Sequence, residues 1–262
     1  ESLPTTAGCI LRASTPLQSC HPALLAQWRD QRLAEEYGDP PRKIGAGTVL
    51  RELGLLSAVF QRFVREWGWM RENPVKAIAK PAAPAHRDKV LSWQEVRGVL
   101  RSLMGTQRHS ERKPISYRVG LAFLFALRTG MRAGEICGIK RNDVHADHVT
   151  LPLTKNGTSR SVPLSSKGQK ILARCLNANL EPVFGLTPAR LDALFRKARD
   201  RAGLVNVRFH DARHTYATRL ASRMVELGIS FPEFLQIFGW KDPKYAMIYV
   251  NSKASDIAQK LG

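Results

Sequence analysis

Three short segments in the C-terminal half concentrate side chains that could do chemistry: TGMRAGE (129–135), HDARHTYAT (210–218) and GWKDPKYAMIYV (239–250). Between them they supply Arg132 and Arg213, His210 and His214, the indole of Trp240, and the phenols of Tyr245 and Tyr249. Lys155 stands between the first two segments, in Lys155-Asn156-Gly157-Thr158. This set suits a phosphodiester. Cations would hold the phosphate, proton donors would serve the leaving oxygen, and a hydroxyl would attack phosphorus.

Each residue also has a plainer reading. Arg132 follows a Gly-Met turn and precedes AGEICGI, which reads as a helix start with Glu135 in its first turn. Its rigid fork could grip two phosphate oxygens, yet taken alone a salt bridge to Glu135 is the simpler expectation. His210 and Arg213 are three apart and share a face on a helix. His suits proton transfer near neutrality, and Arg213 suits the second half of a phosphate clamp. His214 is expected to support that element by packing or hydrogen bonding. Trp240 carries an uncharged N–H donor that could bond a non-bridging phosphate oxygen, or it is simply a core aromatic, as Trp67 and Trp69 are expected to be. Tyr245 and Tyr249 are four apart and share a helical face, so by chemistry alone either could be the nucleophile. With an ordinary pKa of about 10, a tyrosine needs cations and a base nearby.

The elements that must place these groups are legible from periodicity. Leu24, Leu25, Trp28 and Leu33 have helical spacing over 21–37, broken by Gly38-Asp39-Pro40-Pro41. A stronger stripe of Leu50, Leu53, Leu56, Val59, Phe60, Phe63 and Val64 predicts a helix over 47–67, with Arg51, Arg62 and Arg65 off the stripe. The stretch AKPAAPAHRD (79–88) reads as a linker. Ser92 and Glu95 form a capping-box pair at the next helix start, and a buried helix follows over 117–128. VTLPLT and SRSVPL, joined by Asn156-Gly157, predict a β-hairpin that projects Lys155 at its tip. Helical patterns fill 167–178, 188–202, 212–226, 231–238 and 243–249. Residues 1–20 show no clear period.

Composition narrows the partner. The 262 residues carry 41 Lys+Arg against 22 Asp+Glu, a formal +19, with a pI near 10.4. So large a surplus implies a polyanion, and nucleic acid before others. The four cysteines (Cys9, Cys20, Cys137, Cys175) have neither disulfide nor zinc spacing and read as reduced thiols of a cytoplasmic protein. No metal or cofactor is expected. The longest apolar run, near Val119–Leu127, is too short to span a bilayer, so no membrane association is expected. The first residue is Glu1 and not Met, so the chain is expected to be a piece cut from a longer one.

TGMRAGEICGI, LTKNGTSRSVPL, HDARHTYAT and FGWKDPKYAMIYV, in this order and spacing, resemble the tyrosine recombinases of the phage-integrase family. RELGLLSAVFQRFVREWGWMRENPV (51–75) resembles the end of the helical core-binding domain that precedes the catalytic domain in prophage and genomic-island integrases. The resemblance implies a mainly α fold with a small antiparallel β-sheet (α+β): a core-binding domain over 1–82, a linker over 83–90 and a catalytic domain over 91–262, with DNA clamped between the domains. It implies that Arg132 and Arg213 hold the scissile phosphate, that Lys155 protonates the departing 5′ oxygen, and that His210 takes or returns the tyrosine proton. Trp240 stands where many members have histidine, which implies hydrogen bonding and packing. The family's nucleophile follows that position by nine residues, which selects Tyr249 over Tyr245. Ala246 departs from the polar residue common in that interval.

The activity implied is site-specific recombination of double-stranded DNA through a 3′-phosphotyrosyl link, without metal or ATP, integrating or excising a phage or mobile element of bacterial or phage origin. The partners implied are specific recombination sites and a homotetramer on synapsed DNA, with room for accessory DNA-bending proteins. Two rival readings are a type IB topoisomerase, which uses similar residues on one duplex, and a DNA-binding protein whose site has decayed. Against decay, every expected position carries a competent residue.

Overall fold

A computed structural model describes residue 11 and residues 14–39, 41–85, 87–105, 114–152 and 159–250. The chain divides into two compact units, Glu1–Arg87 and Asp88–Gly262.

In the first unit, α1 (Pro22–Ala34) starts where Pro22 occupies the first helical position and the His21 ring accepts from Leu24 N at 3.2 Å. A short antiparallel pair, β1 (Glu36–Tyr37) and β2 (Arg42–Lys43), turns the chain into α2 (Ala46–Arg65). Leu25, Trp28, Val49, Leu53, Phe60 and Val75 form the core here. Arg51, Arg62 and Arg65 are exposed as their phase requires. Three apolar residues depart from expectation. Val59, assigned to the stripe, is 48% exposed, and Trp67 and Trp69, expected in the core, are 48% and 63% exposed. α2 ends at Arg65, so both tryptophans leave the helical phase. They pack against each other and against Phe63 at the surface instead, with ring centroids 4.5–5.4 Å apart and only Trp67 stacked on Phe63.

The second unit is built around α4 (Ile115–Thr129), whose residues from Val119 to Ala126 are buried apart from Leu124. α3 (Trp93–Met104) packs on it after a complete capping box: Ser92 Oγ accepts from Glu95 N, and Glu95 accepts from Ser92 N at 2.8 Å. α5 (Ala133–Gly138), α6 (Ser166–Leu176), α7 (Pro188–Arg201) and α8 (Asp211–Ala221) complete the body. Phe123, Phe195 and Phe209 meet in its core with centroids 5.0–5.8 Å apart. The β-hairpin pairs β3 (His148–Leu151) with β4 (Arg160–Pro163) antiparallel, Val149 opposite Val162. Its expected Asn156-Gly157 turn, and Lys155 with it, lie outside the described residues.

α9 (Phe231–Phe238) and the short α10 (Lys244–Met247) fold onto α8 around a separate apolar cluster. Leu220, Met224, Phe234 and Phe238 form its centre, with Tyr216, Trp240 and Tyr249 packed against it. The helix expected over 243–249 stops at Met247, so Tyr245 and Tyr249 do not share a helical face. The architecture is mainly α with small antiparallel sheets, as expected. No described helix is long and apolar enough to cross a membrane.

Candidate active site

Arg213 is the centre of the site and is 97% buried, its exposure being 3%. It sits in the first turn of α8, whose entry is fixed by Asp211 accepting from Arg208 N at 2.8 Å. Nη1 donates to Gly130 O at 2.7 Å and Nη2 to Phe238 O at 2.8 Å. Gly130 caps the C-terminus of α4 and Phe238 closes α9. A buried cation therefore faces two helix C-termini, where the backbone dipoles are negative. The Phe238 and Trp240 rings flank it at 5.2 and 5.3 Å. Burial, followed by repulsion from Arg132, brings the guanidinium down to about 9, still cationic at neutral pH.

Arg132 precedes α5 and pairs with Glu135 at 2.8 Å, the salt bridge expected from its spacing, while 43% of its side chain stays exposed. Glu135 also binds Arg160 at 2.8 Å. Burial alone would raise its carboxyl. Arg160, the backbone N–H of Arg132 and the Arg132 charge together hold it below the usual carboxylate range. Arg160 goes on to donate to Ile237 O. It thus joins β4, α5 and the end of α9. The sequence reading did not single out Arg160. Its signal was present, since period two puts it on the same face as the buried Val162.

His210 immediately precedes α8 and is held as the neutral base. The residue as a whole is exposed, but partial desolvation of its ring first, then the positive surroundings of His214, Arg213 and Arg132, bring it down to about 4. A cavity of about 380 Å³ runs from His210 past Ala133 and Phe195 and is edged by Arg196, Arg199 and Arg208.

Trp240 stacks on Phe238 at 4.5 Å and on Tyr249 at 5.4 Å, with planes 14° and 11° apart. The Tyr249 hydroxyl is hydrogen-bonded to Nδ1 of His214. Burial raises this phenol, against the opposing pull of Arg213. Tyr245 is 62% exposed. Of the six residues singled out, five are described, and Arg132, His210, Arg213, Trp240 and Tyr249 all gather around α8. Lys155 lies outside the described residues. Among the described residues no group of His, Cys, Asp and Glu is placed to hold a metal ion.

The profile of the phage integrase family matches residues 99–256. The chain belongs to that family. It is 37% identical over 226 residues to an integrase/recombinase relative from Haemophilus influenzae, covering 83% of this chain and 59% of that one. It is 34% identical over 241 residues to the shufflon-specific DNA recombinase of Escherichia coli, covering 90% and 59%. The chain thus spans about three fifths of the length of these curated relatives. Its fold is shared with lambda integrase, solved as a dimer bound to a COC′ core site (TM-score 0.66, 19% identity, 90% of this chain and 66% of that one). Lambda integrase has also been solved as a tetramer on a Holliday junction.

Proposed function

We propose that this chain is a site-specific DNA recombinase whose nucleophile is Tyr249. One observation carries the reading: the Trp240 ring stacks on Tyr249 and also faces Arg213, so nucleophile and phosphate clamp share one rigid platform. The Tyr249 oxygen attacks a scissile phosphate held by Arg132 and Arg213, and the bond from phosphorus to the 5′ oxygen breaks. A 3′-phosphotyrosyl link forms, and Lys155 supplies the proton to the departing 5′ oxygen. The phenol proton passes to the histidines at the start of α8, His210 just before it and His214 in its first turns. A 5′-hydroxyl from a partner duplex then reverses the chemistry and exchanges strands. The energy of the original ester is kept in the covalent link, so no nucleotide is hydrolysed. Three arginines against one carboxylate supply the positive charge that a phosphorane-like transition state requires.

The first unit is assigned as the core-binding domain and the second as the catalytic domain, each acting on duplex DNA. Four copies on two synapsed specific sites are the assembly we assign, by analogy with lambda integrase on its junction. Accessory DNA-bending proteins fit such an assembly. The setting would be the cytoplasm of a bacterium, acting on phage or mobile-element DNA.

The test is covalent trapping on nicked duplexes that tile the DNA flanking the native gene, read on a denaturing gel. Wild type and Tyr245→Phe are expected to form the adduct, with or without EDTA. Tyr249→Phe is expected to bind DNA and form none. An adduct with Tyr249→Phe would reverse the nucleophile assignment.

A further inference from the structure

The ring that contacts the attacking oxygen is not the one that the family resemblance implied. His214, and not His210, is hydrogen-bonded to the Tyr249 hydroxyl through Nδ1. The His210 ring lies 5.1 Å from that of His214, edge to face, and lines the arginine-edged cavity beside Ala133. Both partners of the contact are held rigidly. Stacking on Trp240 fixes the plane of the phenol. Next to His214, α8 is pinned by Arg213 to Gly130 and Phe238, and by Thr215 Oγ1, which donates to Asp211 O at 2.7 Å and accepts from Leu91 N at 2.8 Å. A base must lie within hydrogen-bond reach of the proton it takes, and His214 meets that requirement in place.

We propose that His214 is a further catalytic residue: the immediate acceptor of the Tyr249 proton, with His210 turned toward the phosphate. The inference rests on the recombinase reading above. As the Tyr249 oxygen bonds to phosphorus and the 5′ oxygen departs, the phenol proton moves to Nδ1 of a neutral ring that carries its own hydrogen on Nε2. In strand exchange the imidazolium returns that proton to the phenolate as it leaves phosphorus. His210 then serves as a hydrogen-bonding group beside Arg132 and Arg213, whose charges, with partial desolvation of its ring, hold it neutral.

The experiment measures single-turnover adduct formation on the same nicked tiles. A general base typically contributes 10²–10⁴-fold, so His214→Ala is expected to slow cleavage by about a hundredfold or more. His214→Gln, which keeps a polar side chain but cannot accept a proton, is expected to be comparably slow and provides the comparison if the alanine variant folds poorly. Placing trifluorotyrosine at 249 makes the phenol more acidic and is expected to restore most of the rate to either variant, which a merely structural role would not allow. Wild-type or faster cleavage by both variants would make His214 dispensable or a restraining latch, and the proposal would fall. A slow variant that the acidic phenol leaves slow would show a packing role and overturn it equally. If the wild-type chain forms no adduct on any tile, the recombinase reading itself fails, a result distinct from a competent wild type with indifferent His214 variants.

Discussion

Arg213 illustrates how a fold can hold a charge ready for a ligand. The effective penalty for burying an ion is several kcal/mol. Two charge-assisted hydrogen bonds, at about 1.5–3 kcal/mol each, and two ring faces, at up to about 2 kcal/mol each, roughly offset it. Repulsion from Arg132 remains, and a phosphate bound as proposed would relieve it. His210 feels the same field, and its consequence is measurable without DNA. Its folded pKa, about 4 against an ordinary 6.5, means that the unfolded chain takes up the proton first as pH falls. The stabilisation is complete above pH 6.5 and is lost as pH drops toward 4, a loss that solvent screening at this exposed position reduces. Urea melts at pH 7, 5 and 4 are expected to show this loss in the wild type and a flatter profile in His210→Gln. Equal slopes in the two proteins would mean His210 is not held neutral.

At the scale of elements, helix ends matter more than helix middles. The end of α4 and the end of α9 each present a carbonyl to Arg213, and each is closed by a left-handed glycine, Gly130 at φ 66° and Gly239 at φ 63°. A β-carbon on Gly130 would clash with Phe238 Cε1 and lie 2.9 Å from Tyr216 Cδ1. Backbone strain and overpacking together predict that Gly130→Ala loses about 2–5 kcal/mol, with Arg213 displaced from its acceptor. A thermal melt checks the first part, and a melting temperature within a degree of wild type would refute it. Gly239 is constrained from another direction, since its β-carbon would meet Arg160 Cδ at 2.7 Å. Through Arg160, β4 is tied to Glu135 and to the end of α9. Elements distant in sequence are thereby held in one register around the candidate site.

For the whole molecule, the governing quantity is the formal charge of +19. A protein that neutralises six to ten phosphates loses about 10³–10⁵-fold in affinity between 50 and 200 mM salt. We expect a drop of at least a thousandfold for duplex DNA, measured by fluorescence anisotropy across that range. A nearly flat salt dependence would remove the polyanion reading of the charge. Each unit has its own apolar core, and the catalytic candidates all lie in the second.

Much of this was legible in the residues themselves. Helix positions followed from apolar spacing, because burial selects the 3.6-residue period, and the capping box at Ser92 and Glu95 marked a start correctly. Trp67 and Trp69 were misjudged because hydrophobicity says what a side chain prefers, while the end of α2 decides where it points. By chemistry alone Tyr245 and Tyr249 stayed equivalent, the family resemblance favoured Tyr249, and the structure separates it from Tyr245 by burial. No spacing rule could say which histidine touches that phenol, or that Arg160 would reach both Glu135 and Ile237. Those contacts join residues 25 to 77 positions apart. The linear chain thus determined which chemical groups are present and which faces are buried. Only folding decided which of them meet, because a hydrogen bond is set by distance and direction in space and not by order along the chain.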